Sequence, residues 1–115
     1  MYNLESLSQV RNIRSMKEYN AERGQDFFSP ASMRFFDSRI APGIIQTWSG
    51  IVFITSEKFD YSSPRLYTVR IMAEDGSCNE LNCEFQQFES LYQARRHARI
   101  EADKLNQAPA PEVTQ

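Results

Sequence analysis

Between Ile44 and Phe88 the apolar positions follow strand patterns. Residues 44–48 and 51–58 are rich in β-branched and aromatic side chains, and Ser49-Gly50 between them is a hairpin signal. In the second run Ile51, Phe53 and Thr55 face one way while Val52 and Ile54 face the other, which predicts a central strand covered on both sides. Residues 65–73 alternate, with Tyr67, Val69, Ile71 and Ala73 on one face; after the Glu74-Asp75-Gly76 turn, Leu81, Cys83 and Phe85 take alternate positions. A two-residue Asp75-Gly76 loop would set Val69 against polar Asn82. A three-residue loop with Gly76 left-handed pairs Val69 with Leu81 and Tyr67 with Cys83, and keeps the apolar sets together. It also sets Arg70 opposite Glu80 on an outer face.

Helical signals flank this region. Leu4, Leu7, Val10, Ile13, Met16 and Tyr19 recur every third residue. On a helix that row drifts by about 60° per step, so one straight helix would lack an apolar face. Either the helix is short, near residues 8–20, or two pieces use different faces, with Gly24 as the stop. Ser29 reads as an N-cap with Pro30 at the first helical position, then Met33, Phe36 and Ile40 as an inward stripe and Pro42-Gly43 as the terminator. Phe35 points away from that stripe. Ser90 and Gln93 read as a capping box, and Leu91, Ala94, Ala98, Ala102 and Leu105 fall in one sector about 60° wide. Alanines at that spacing let a helix lie close on a sheet. The order predicts an α+β domain over residues 1–106: a small antiparallel sheet of three to four strands packed by a long C-terminal helix, preceded by a short helix and a helical N-terminal segment. Residues 107–115, with two prolines, read as a disordered tail.

Composition narrows the function classes. A chain of 115 residues with 13 basic and 15 acidic side chains carries a net charge of −2, which speaks against a general nucleic-acid coat. Two cysteines, Cys78 and Cys83, and the single His97 are too few for a structural zinc site. Five residues apart on one strand, the thiols face opposite sides and should stay reduced in a cytoplasm. No catalytic constellation stands out. His97 has no cysteine or serine partner at a recognisable spacing, and the four glycines form no phosphate loop. Glu57 reads as a strand end. The expectation is a non-enzyme without metal or cofactor.

Two surfaces qualify as candidate binding sites. Arg34 and Arg39 flank Phe35, and exposed Phe beside Arg is a contact-patch composition. The last helix carries Arg95, Arg96 and Arg99; Arg96 and Arg99 form a basic and aromatic flank with Tyr92, and His97 lies on the other side; the bland alternative is a solvated face with Arg99–Asp103 and His97–Glu101 pairs.

The stretches Phe27-Phe28-Ser29-Pro30-Ala31-Ser32-Met33-Arg34-Phe35-Phe36-Asp37-Ser38-Arg39, Phe53-Ile54-Thr55-Ser56-Glu57-Lys58, Pro64-Arg65-Leu66-Tyr67-Thr68-Val69-Arg70 and Cys83-Glu84-Phe85-Gln86-Gln87-Phe88 lead into the alanine-spaced helix. Together they resemble a family of short uncharacterised proteins carried by bacteriophages, prophages and plasmids, over residues 25 to 102. The resemblance implies a mobile-element accessory protein in the bacterial cytoplasm and carries no catalytic residues. Analogy then points to binding a host or defence-system protein, as an anti-CRISPR-like inhibitor does. The alternative is a nucleic-acid-associated protein using the arginines, which their clustering on one folded face would favour.

Overall fold

The computed structural model describes residues 4–107, so most of the expected tail lies outside the described residues. The chain makes a 3-10 turn (Leu7–Gln9), α1 (Ile13–Glu22), α2 (Pro30–Phe35), strands β1 (Arg39–Ile40), β2 (Ile45–Gln46), β3 (Ile51–Lys58), β4 (Arg65–Met72) and β5 (Cys78–Glu80), and α3 (Leu91–Gln107). The architecture is α+β, as expected from the sequence.

All strands are antiparallel. β1 and β2 share one edge of β3, β4 lies on its other edge, and β5 follows β4. Seven of the eight β3 residues are buried, as a central strand apolar on both faces requires. On one face, Ile51 and Phe53 of β3 and Met72 of β4 pack under Leu4, Val10, Met16 and Tyr19. On the other, Val52, Ile54 and Val69 pack under Ala94, Ala98 and Ala102 of α3. The sheet thus has an α1 face and an α3 face.

The period-three N-terminal row resolves into two pieces. The 3-10 turn carries Leu7, whose three-residue repeat suits that geometry, and Asn12 then caps α1 by accepting from the Ser15 N–H at 2.8 Å. α1 is tied to the β4–β5 turn by the Tyr19 hydroxyl on the Glu74 carbonyl (2.5 Å) and the Asn20 amide on the Gly76 carbonyl (2.7 Å). Gly76 has φ +86°, and the pairs Arg70↔Glu80, Ile71↔Asn79 and Met72↔Cys78 give the register of the three-residue loop.

Four expectations are corrected. α2 ends at Phe35, because Asp37 takes a left-handed φ of 49° and turns the chain into β1; Ile40 thus reaches the core from a strand, and Pro42-Gly43 terminates nothing. Tyr67 bridges Phe88 rather than Cys83, because β5 stops at Glu80 and Asn82 is left-handed (φ 52°). Phe85 leaves the face it was grouped on and crosses to the α1 side, where it meets Phe36. Arg70 is not on an outer surface; only 9% of its side chain is exposed.

Candidate functional site

The β3–β4 register sets Phe53 opposite Arg70 and Thr55 opposite Thr68, while β5 sets Glu80 beside Arg70. Side chains at directly paired positions share a face, so Phe53, Arg70 and Glu80 form a row on the α1 face, with Thr55, Thr68 and Glu57 beside it. α1 covers only part of that face. Where it stops, the chain places this polar group under a layer of phenylalanines.

The polar group is fully paired. The Arg70 guanidinium donates from Nε to the Thr55 hydroxyl (2.9 Å) and from Nη2 to Glu57 (3.2 Å), and its Nη1 stands 3.5 Å from Glu80. Glu57, with 1% of its side chain exposed, also accepts from the Thr55 and Thr68 hydroxyls. The Gln86 side chain donates to the Glu57 carbonyl (2.9 Å) and the Gln86 N–H to the Thr68 hydroxyl (2.8 Å). Among the described residues no buried side-chain nitrogen or oxygen lacks a partner. A charge this deep is tolerable only when so paired.

Aromatic rings roof this floor. The Arg70 guanidinium lies 5.1 Å from the Phe27 ring centre and 5.8 Å from that of Phe85, within cation–π range. Phe36 packs on Phe85 at 5.0 Å, stacks on Phe59 at 5.8 Å and meets Phe35 edge-on at 4.6 Å. Between these rings and α2 runs an open groove of about 680 Å³ with Arg70 and Glu80 in its wall. Beyond Phe36 the surface continues over Phe35, Phe59 and Tyr61, which are 77, 64 and 97% exposed. Its rim carries Arg34, Lys58 and Asp60. The Lys58 ammonium sits 5.8 Å over the Tyr61 ring. Hydrogen bonds from the Ser63 and Ser62 hydroxyls hold the Asp60 carboxyl below its usual range.

The patch rests on a rigid base. Arg65 donates to the Asp37 carboxylate, the Asp37 carbonyl (2.9 Å) and the Ser56 hydroxyl (2.9 Å), and the Lys58 N–H donates to the Phe36 carbonyl (2.8 Å). These bonds pin the α2–β1 corner to β3.

The residues singled out from the sequence do not form one site. Arg34 and Phe35 lie on α2 over the α1 face, and Phe35 is exposed as expected. Arg39 is on the edge strand, 3.6 Å from Asp37. Tyr92, Arg95, Arg96 and Arg99 are exposed on α3, across the sheet from α2. Arg99 pairs with Asp103 at 3.7 Å. His97 contacts the Leu81 carbonyl (2.9 Å) and Phe88 rather than Glu101, whose carboxylate takes Asn82 (3.1 Å) and Lys104 (3.3 Å). Phe59, Tyr61, Phe85 and the Glu57–Arg70 pair went unnoticed as site components. The pairing of β3 with β4 was the available signal, since it alone puts Thr55, Glu57, Thr68 and Arg70 on one face.

Cys78 belongs to the α1 face and Cys83 to the α3 face, and both are free. Burial pushes the Cys78 thiol up to about 12 and raises that of Cys83, so neither is a ready nucleophile at neutral pH. No helix among the described residues is long and apolar enough to cross a membrane. A family model described as a family of unknown function (DUF7447) matches residues 12–99, a span that includes α1, the whole sheet and half of α3. No curated protein and no solved structure matches the chain.

Proposed function

The chain belongs to this family of unknown function, and we propose that it is a non-enzymatic accessory protein of a phage or other mobile element, working in the bacterial cytoplasm by binding a host or defence-system protein. The exposed cluster of Phe35, Phe59 and Tyr61 on a clamped aromatic base carries this reading. Large rings left mostly in water contribute less to folding than buried ones, yet they are the residue types that dominate interface cores. Arg34 and Lys58 at the rim, beside Asp37 and Asp60, would supply a pattern of charges that orients a partner. An anti-CRISPR-like mode, in which such a patch blocks a defence complex, is the form the proposal takes.

The same rings beside cations could stack nucleobases, so the test separates the two ligand classes. The protein is used as bait in bacterial lysate, with nuclease-treated and untreated arms. The expected result is one protein captured equally in both arms. Phe35→Ala should weaken capture roughly thirtyfold or more, the effect of losing an anchor of about 2 kcal/mol. Its thermal melt should stay nearly intact. Capture only in the untreated arm, or undiminished capture by Phe35→Ala, overturns the proposal.

A further inference from the structure

β1 and β2 both pair with β3, but at separate places: Arg39↔Ser56 and Ile40↔Thr55 at one end, Ile45↔Val52 and Gln46↔Ile51 at the other. The intervening residues 41–44 make one bond to the edge, from the Ala41 N–H to the Ile54 carbonyl (2.9 Å), and then arch outward through Pro42 and Gly43, which has φ +96°. α3 cannot close the resulting gap, because the residue it presents there is Ala98. A pocket of about 280 Å³ remains on the α3 face.

Its chemistry is two-sided. Ile45, Val52, Ile54 and Ala98 make an apolar floor from the core of this face. Arg95 and Arg99, one helical turn apart, stand at its edge, and among the described residues no carboxylate lines it. Both guanidiniums retain donors. Among the described residues Arg95 reaches only the Pro42 carbonyl, at 3.5 Å, and Arg99 only Asp103, at 3.7 Å with both side chains more than half exposed. Such surface pairs contribute little and are readily exchanged for a better acceptor. Planar guanidiniums match a carboxylate in bidentate geometry, and desolvation beside an apolar wall strengthens that bond.

We propose that this pocket binds a small amphipathic carboxylate, its apolar chain on the Val52–Ile54 floor and its carboxylate between Arg95 and Arg99. The volume lies just below the usual range of roughly 300–1,000 Å³ for ligand sites, which suits a chain of about six carbons rather than a long lipid. The site is independent of the aromatic patch, being across the sheet from it.

The test uses amide NMR spectra of the full chain titrated with sodium hexanoate, and with hexanol, hexylammonium and acetate as comparisons. Hexanoate should give saturable shifts centred on Gly43, Ile45, Ile54 and Ala98 at millimolar concentration. Hexanol, hexylammonium and acetate should each bind at least about tenfold more weakly, since each lacks one half of the recognition. The Arg95→Gln/Arg99→Gln double variant should keep the parent spectrum away from α3 while losing hexanoate affinity about tenfold. Linear shifts without saturation, equal binding of hexanol or hexylammonium, unaltered hexanoate affinity in the double variant, or shifts centred on Phe35 and Phe59 would each overturn the assignment.

Discussion

Arg70 and Glu57 show how a single residue pair can be indispensable without adding much net stability. Their side chains are 9 and 1% exposed, and every donor or acceptor around Glu57 is committed. Moving two charges this far from water costs several kcal/mol each, which their attraction offsets only while both are present. Arg70→Met therefore strands a buried carboxylate and should lower unfolding stability by about 3–5 kcal/mol in urea denaturation. Glu57→Leu combined with Arg70→Met should lose distinctly less than the single change, because no buried charge is then left unpaired and Glu80 stays in water. Equal losses would show that Arg70 matters through its packing under Phe27 and Phe85 rather than through its charge. Little of this was visible in the sequence. Thr55, Glu57, Thr68 and Arg70 are polar residues at the alternate positions of strands, a pattern that normally marks a solvent face. Only the roof brought over them by α2 and Phe85 makes that face an interior, and contacts between segments so far apart have no local signature.

Elements whose own pattern decides their structure were legible. β3 is apolar on both faces and is central, the Gly76 turn fixes the β4–β5 register through the pairing of faces, and the alanine row of α3 lies on the sheet. Ends were less legible, because the left-handed Asp37 and Asn82 stop α2 and the strand after Glu80 without a glycine to announce it. In α3 Ser90 caps as expected, its Oγ accepting from the Gln93 N–H (3.1 Å), and only the return bond shifts by one residue, the Gln93 side chain accepting from the Glu89 N–H (3.1 Å). The alanine row itself is not uniform. Ala94 is sealed against the sheet, whereas Ala98 borders the 280 Å³ pocket. Ala94→Leu should overpack the helix–sheet contact and destabilise by about 1–3 kcal/mol, while Ala98→Leu has space to turn into and should cost less than about 1 kcal/mol. Thermal or urea unfolding of the two variants checks the order; a larger loss at Ala98 would mean the gap at the sheet edge is closed in solution.

At the scale of the whole molecule the sheet works as a partition. The aromatic patch with Arg34 stands over the α1 face, and Arg95, Arg96 and Arg99 stand on α3 across from it. Arg39 and Arg65 at the edge are engaged with Asp37. The arginines singled out from the sequence are thus divided between faces of a chain whose net charge is −2, a poor arrangement for tracking one nucleic-acid backbone. One strand can meet the three α3 arginines or the Arg34–Lys58 rim, but not both without wrapping the domain. Each phosphate neutralised on a single strand contributes about −0.7 to the slope of log K against log salt. Three contacts on one face therefore give a slope near −2, and both faces acting together would give roughly −3.5 or steeper. We expect any binding of a fluorescent oligothymidine to show the shallow slope and to be weak at physiological salt. Arg96→Glu with Arg99→Glu should abolish what binding there is while leaving capture of a protein partner by the Phe35 surface intact. A slope of −3.5 or steeper, with losses from charge reversal on both faces, would mean that nucleic acid wraps the domain, and the protein-binding assignment of the aromatic patch would then give way to base stacking on Phe35, Phe59 and Tyr61.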